Sequence, residues 1–145
     1  LDEGEFRTIK GYNRKNNPTL TDAMEDYLEM ICRDARKYGY ARINHLAAAL
    51  HVKPSSCSKM VSHLRALELV DSERYGVICP TQRGWEIGGY LLHRHDILHA
   101  FLCLLNQTQN ETEQTEQLEH FVTERTLRNL ERLIPLLERY WTGVE

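Results

Sequence analysis

A mainly α-helical chain carrying one short β-hairpin follows from three features of the 145-residue sequence. Apolar residues recur at helical spacing over most of residues 19–141. A β-branched stretch punctuated by glycine interrupts them at 69–81. Gly39 and Pro54 fall where a helix would stop and another start. The length suits one good core or two small domains sharing an interface. A hydrophobic content of 41% and a charged content of 27% are ordinary for a water-soluble protein. No apolar run nears the roughly 20 residues needed to cross a bilayer, and no signal peptide is visible. The expectation is a cytoplasmic chain without a membrane partner. Cys32, Cys57, Cys79 and Cys103 form no Cys-x-x-Cys pair. That pattern fits a reducing compartment and four small buried thiols.

The elements follow in order. Residues 1–18 are polar, lack periodicity and read as a leader. Residues 19–37 form the first predicted helix, with Thr21 as N-cap and Asp22 and Glu25 in the favoured first turn. Leu20, Met24, Tyr27, Leu28 and Ile31 make its apolar face, and Gly39 ends it. Asp26 and Glu29 lie three apart on a second, acidic stripe. Ile43, Leu46, Ala47 and Leu50 form a short stripe of a second helix. A turn at residues 51–53 leads to Pro54, which opens a third helix over 54–69 with Met60, Val61, Leu64 and Leu67 facing inward.

Two short helices joined by a tight turn, the second starting with small polar and basic side chains, match a helix-turn-helix. The strands predicted within 69–81, around residues 75 and 76, then make a wing. Small side chains let the backbone approach a groove, and basic ones reach phosphate or guanine. The candidate DNA contacts are Arg42, Lys53, Ser55, Ser56, Ser58, Lys59, His63, Arg65 and Arg74, the last at the wing tip. Residues 42–79 hold five basic and three acidic side chains, a balance of +2. Residues 106–145 hold eight acids against four arginines, a balance of −4. A basic half suits phosphate and an acidic half suits cations.

Thr81 caps a predicted helix reaching residue 105, roughly 37 Å long at 1.5 Å per residue. It carries His93, His95 and His99, of which His95 and His99 are spaced to share an ion. After a loop at 106–110, Glu116, Glu119 and His120 sit at i, i+3 and i+4. A helix there would line them along one stripe, offering two carboxylates and an imidazole to a divalent cation. Such a stripe supplies only about half the ligands of an octahedral ion. The last helix, 124–141, has an apolar seam of Leu127, Leu130, Leu133, Ile134, Leu137 and Trp141, read as core or dimer contact, with a kink expected at Pro135.

The organisation expected is a leader (1–18), a winged helix-turn-helix domain (19–80) and an all-helical metal-binding and dimerisation domain (81–145). Several stretches together resemble the manganese transport regulator branch of the diphtheria toxin repressor family. They are Met-Glu-Asp-Tyr-Leu-Glu-Met-Ile at 24–31, Gly-Tyr-Ala-Arg-Ile at 39–43 and Lys-Pro-Ser-Ser-Cys-Ser-Lys-Met-Val at 53–61. Arg-His-Asp-Ile-Leu at 94–98 and Glu-Gln-Leu-Glu-His at 116–120 complete the set. The resemblance runs from about residue 19 to 141. It implies that Asp26, Glu29, His95, Glu116, Glu119 and His120 ligate two Mn²⁺ ions per subunit, with Glu29 and Glu119 reaching both. Fe²⁺, Zn²⁺ or Co²⁺ are the implied substitutes. The softer methionine and cysteine of the iron-responsive branch are absent at positions 26 and 116. A chain ending at Glu145 without an SH3-like domain would also suit the shorter manganese type.

The resemblance implies a non-enzymatic repressor of metal-uptake genes, a homodimer on a palindromic operator in double-stranded DNA, with no organic ligand. Without cations, Asp26, Glu29, Glu116 and Glu119 would repel; two divalent ions cancel their charge and tie the reading module to the dimer core. The chain departs from the family pattern in its long leader, in Cys57 where a β-branched residue is common, and in His99, often acidic in relatives, which leaves an additional cation site open. Three other readings compete: an iron-responsive member of the family, a winged-helix sensor of a small organic ligand, and a metalloenzyme built on His95, His99 and Glu119. The last lacks a His-Glu-x-x-His pattern, oxyanion donors and a Gly-rich phosphate loop.

Overall fold

The computed structural model describes residues 20–72 and 76–143. Six α-helices and three short strands account for most of them: α1 (Asp22–Tyr38), β1 (Ala41–Arg42), α2 (Ile43–Ala49), α3 (Pro54–Ala66), β2 (Val70–Ser72), β3 (Val77–Pro80), α4 (Gln82–Asn106), α5 (Thr112–Leu118) and α6 (Glu124–Thr142). The chain divides into two compact units, one of Asp22–His93 and one that takes in Arg94 onward. The division falls inside α4 rather than at the predicted residue 80, because the first half of α4 belongs to the core of the first unit.

In the first unit α1, α2 and α3 gather around a three-stranded antiparallel sheet of order β1-β3-β2. The hairpin appears as predicted, with Ser72 opposite Ile78 and Val70 opposite Pro80. The wing tip at residues 73–75, including Arg74, lies outside the described residues. The strand β1 was not anticipated. It pairs Ala41 with Ile78 and Arg42 with Val77, and two residues are too few to show an alternating pattern. Leu28, Ile31, Leu46, Leu64, Leu69, Val70, Ile78 and Leu91 are all at or below 1–2% exposure, a continuous apolar core in which each large side chain contributes about 1.5–3 kcal/mol.

Two close approaches lock α4 onto this core. A Cβ at Gly88 would overlap the Cys32 sulfur, and one at Gly84 would overlap the Leu69 carbonyl oxygen. The Cys32 thiol donates to the Gly84 carbonyl at 3.7 Å. Thr81 caps α4 as predicted: its Oγ1 accepts from the Gly84 amide at 3.0 Å and donates to the Glu68 carbonyl at 2.7 Å. That hydroxyl therefore ties the start of α4 to the end of α3's exit turn.

The second unit has less interior. Leu98, Leu102, Thr115 and Leu127 are buried, and Leu127 is the sole buried residue of α6. Thr123 caps α6 by accepting from the Thr126 amide at 3.2 Å, and the helix runs as one span through Pro135. The Trp141 indole donates to the Leu104 carbonyl at 2.7 Å. Among the described residues no helix is long and apolar enough to cross a membrane.

Candidate functional site

The exposed face of α3, the candidate reading face, follows from where its apolar residues point. Cys57, Val61 and Leu64 are buried, which turns Lys53, Ser55, Ser56, Ser58, Lys59, His63 and Arg65 outward, all of them exposed. Pro54 sits in the first turn, where a missing N–H costs nothing. The turn ahead of α3 is closed by His51 in the left-handed region at φ 56° and by the Val52 amide donating to the Ala47 carbonyl at 3.0 Å. Arg42 is exposed at the end of β1, with its guanidinium 5.1 Å from the centre of the Tyr40 ring. Arg65 donates to the Ser72 hydroxyl, which braces the helix against β2. Cys57 has the character of a core thiol: it is fully buried, and burial pushes its pKa up, so it is poorly suited to redox or nucleophilic work at neutral pH.

The acidic stripe of α1 is present in the same unit. Asp26 is half-buried and Glu29 buried, with the Arg33 guanidinium 3.4 Å from the Glu29 carboxylate. The helix holds two further carboxylates that sequence reasoning treated only as favourable first-turn residues. Asp22 and Glu25 bring ligand-capable oxygens within 4.8 Å of each other, and Glu25 is 6% exposed. Burial of a first-turn glutamate is the signal that separates it from a capping charge, and no spacing rule carries that signal.

In the second unit the structure brings together His95, Glu119 and His120. Glu119 is 2% exposed. One of its oxygens lies 2.9 Å from His95 Nδ1 and the other 4.0 Å from His120 Nε2. The Arg94 guanidinium approaches His120 Nδ1 at 3.5 Å; a guanidinium only donates, so Nδ1 faces it as acceptor. A buried carboxylate between two imidazoles is a donor set of hard oxygen and borderline nitrogen, fit for a divalent cation of the Mn²⁺ to Zn²⁺ series.

The predicted Glu116–Glu119–His120 stripe needs a correction. The α-helix ends at Leu118, and Glu119–Phe121 form a 3₁₀ turn. Glu116 stands exposed on α5 while Glu119 turns inward, so the three do not share one α-helical line. Leu118 and Phe121, which suggested a continuous helix, are 37% and 45% exposed. The burial of Thr115 and Glu119 sets the register here, and hydrophobic periodicity pointed the other way. His93 is exposed, and His99 stacks on His95 with ring centres 6.3 Å apart.

The first unit is thus a winged helix-turn-helix of the DNA-binding class, and the second carries a cluster of cation donors. Residues 19–78 match the family described as iron dependent repressor, N-terminal DNA binding domain. The chain is 38% identical over 104 residues to the HTH-type transcriptional regulator MntR of Oceanobacillus iheyensis, covering 71% of each. It is 34% identical over 119 residues to that of Bacillus subtilis, covering 81% of this chain and 84% of the relative. In fold it is similar to the manganese regulator SloR, with a TM-score of 0.69, 23% identity and coverage of 80% of this chain and 55% of that one. It is similar also to T. acidophilum IdeR, with a TM-score of 0.65, 23% identity and coverage of 80% and 53%. The chain spans about half the length of these two solved proteins. The chain belongs to the diphtheria toxin repressor family, in its manganese transport regulator branch, a family of metal-dependent DNA-binding transcriptional regulators and not of enzymes.

Proposed function

We propose that this protein is a manganese-responsive repressor of metal-ion uptake genes, acting in the cytoplasm as a homodimer on a palindromic operator. The ligands proposed are Asp26, Glu29, His95, Glu116, Glu119 and His120, holding two Mn²⁺ per subunit, with Fe²⁺, Zn²⁺ or Co²⁺ as substitutes. The observation that carries the metal reading is the buried Glu119 carboxylate with imidazole nitrogens 2.9 and 4.0 Å away. A buried carboxylate is costly unless paired or coordinated. A bound cation supplies positive charge to the acid-rich donors. The residues of the chain do the rest: Glu119, His95 and His120 set donor positions, and the exposed face of α3 meets DNA, together with Arg42 and, by proposal, Arg74. Cation binding would act by narrowing the conformations open to the reading unit, so that DNA binding loses less entropy.

The dimer is supported by α6 and its neighbours. Leu105, Leu133, Leu136, Tyr140 and Trp141 are 37–60% exposed, an apolar face that a second copy would cover. Two such subunits would present two reading helices to successive major-groove faces.

The test is an operator-binding titration of the full chain at fixed salt with Mn²⁺, Fe²⁺, Zn²⁺ or chelator. Mn²⁺ is expected to raise affinity at least tenfold, with the gain lost in Glu29→Ala and Glu119→Ala variants that remain folded. Equal affinity with Mn²⁺ and with chelator would rule the mechanism out, and a chelator-insensitive complex responding to an organic molecule would favour the alternative sensor.

A further inference from the structure

His99 has a role that its spacing from His95 did not suggest. Its Nε2 accepts the backbone N–H of Glu111 at 3.2 Å. A backbone amide can only donate, so this nitrogen carries no proton in that arrangement. Glu111 is the N-cap residue of α5, and its side chain does not cap its own helix. Instead its Oε1 accepts from Asn106 at 3.2 Å and Thr108 at 2.7 Å. Its carbonyl accepts from the amide of Thr115 at 2.9 Å and the hydroxyl of Thr115 at 2.7 Å. Thr115 is fully buried. The amide, the carbonyl and one carboxylate oxygen of Glu111 are therefore tied down, and the amide is held by His99.

Two turns of helix later the chain delivers Glu119 and His120. The His99 ring lies within 4° of parallel to that of His95, and the Cys103 sulfur lies 3.7 Å from its Nε2. An ion drawn to His99 Nε2 would have to displace the Glu111 amide, leaving a part-buried donor without its acceptor.

We infer that His99 is a positioning residue for the metal donors: its Nε2 anchors the start of α5 and thereby the placement of Glu119 and His120. This rests on the metal reading proposed above. Groups that orient ligands from behind typically change metal affinity by 10- to 100-fold when removed.

The experiment compares wild type, His99→Phe and His99→Gln as full chains. Phenylalanine keeps a ring and loses the acceptor, whereas glutamine retains an acceptor near the position of Nε2. Mn²⁺ affinity and ion count are read from the free-Mn²⁺ electron paramagnetic resonance signal, and the Glu111 amide exchange rate is read in metal-free protein. His99→Phe is expected to exchange the Glu111 amide about tenfold faster and to bind Mn²⁺ about tenfold more weakly with an unchanged ion count. His99→Gln is expected to keep wild-type values. A lower ion count in both variants would make His99 a ligand and overturn the inference. Wild-type affinity and exchange in His99→Phe would overturn it too. A wild-type chain that takes up no Mn²⁺ would instead sink the metal reading itself, and the positioning role with it.

Discussion

The two units of this protein bury different balances of apolar and polar side chains. The Asp22–His93 unit closes an apolar core around Leu28, Leu46, Leu64 and Ile78 and leaves a polar, basic helix face outside. The unit from Arg94 onward puts a carboxylate, Glu119, and a histidine, His95, inside beside Leu98, Leu102 and Leu127, and leaves Leu133, Leu136, Tyr140 and Trp141 exposed on α6. The first arrangement presents a face suited to meeting phosphate. The second is suited to being completed by something else: a cation for the acids, another apolar face for the leucines. The separation is not complete, because Glu25 and Glu29 of α1 are also buried in the first unit.

The contrast predicts unequal responses to truncation, and this is the largest effect expected. Leu64→Ala should lower unfolding free energy by about 2–5 kcal/mol, measured by denaturant titration. Leu136→Ala together with Tyr140→Ser should change it by less than about 0.5 kcal/mol at a concentration where the chain is monomeric. The same double variant should shift sedimentation velocity toward monomer. A large stability loss in the double variant, with association unchanged, would break the comparison.

A second effect sharpens the picture of the first unit. Burial pushes the Cys32 thiol up to about 12. Below the ordinary thiol range both folded and unfolded states hold the proton, and Cys32 makes no pH-dependent contribution. Between about pH 9 and 12 the unfolded chain ionises and the folded one does not, so stability falls as pH rises. Denaturant titrations across this range should show that decline, reduced in Cys32→Ala. At neutral pH a thiol reagent should modify the half-exposed Cys79 and Cys103 well before the buried Cys32 and Cys57.

The smallest effect concerns the turn after α4. Gln107 has φ 52°, in the left-handed region where a side chain is strained. Gln107→Gly should raise stability by about 0.5–1 kcal/mol in thermal unfolding. No gain would mean that Gln107 makes a compensating contact, so that the second unit is less open to improvement than its exposed surface suggests.

Much of this molecule is legible from residue order. Thr81 announces the start of α4, Pro54 that of α3, and the alternation of Cys57, Val61 and Leu64 with serines and basic residues orients the reading face. These are local rules, in which a side chain and its near neighbours in sequence decide the outcome. The strand β1 escaped because two residues have no period. The Glu116 stripe was misread because Leu118 and Phe121 imitate an inward face that the structure leaves exposed.

By itself, then, the amino-acid order determined the main helices and the hairpin, the winged helix-turn-helix, the basic face and the identities of the cation-capable side chains. Tertiary structure alone decided that α5 stops at Leu118, that Glu119 rather than Glu116 turns inward, that Cys79 and Cys103 stay half-exposed, and that His99 holds a backbone amide. The reason is physical: periodicity records which side chains could share a face, whereas burial and hydrogen-bond partnership depend on groups distant in sequence, which compete for the same interior and the same donors.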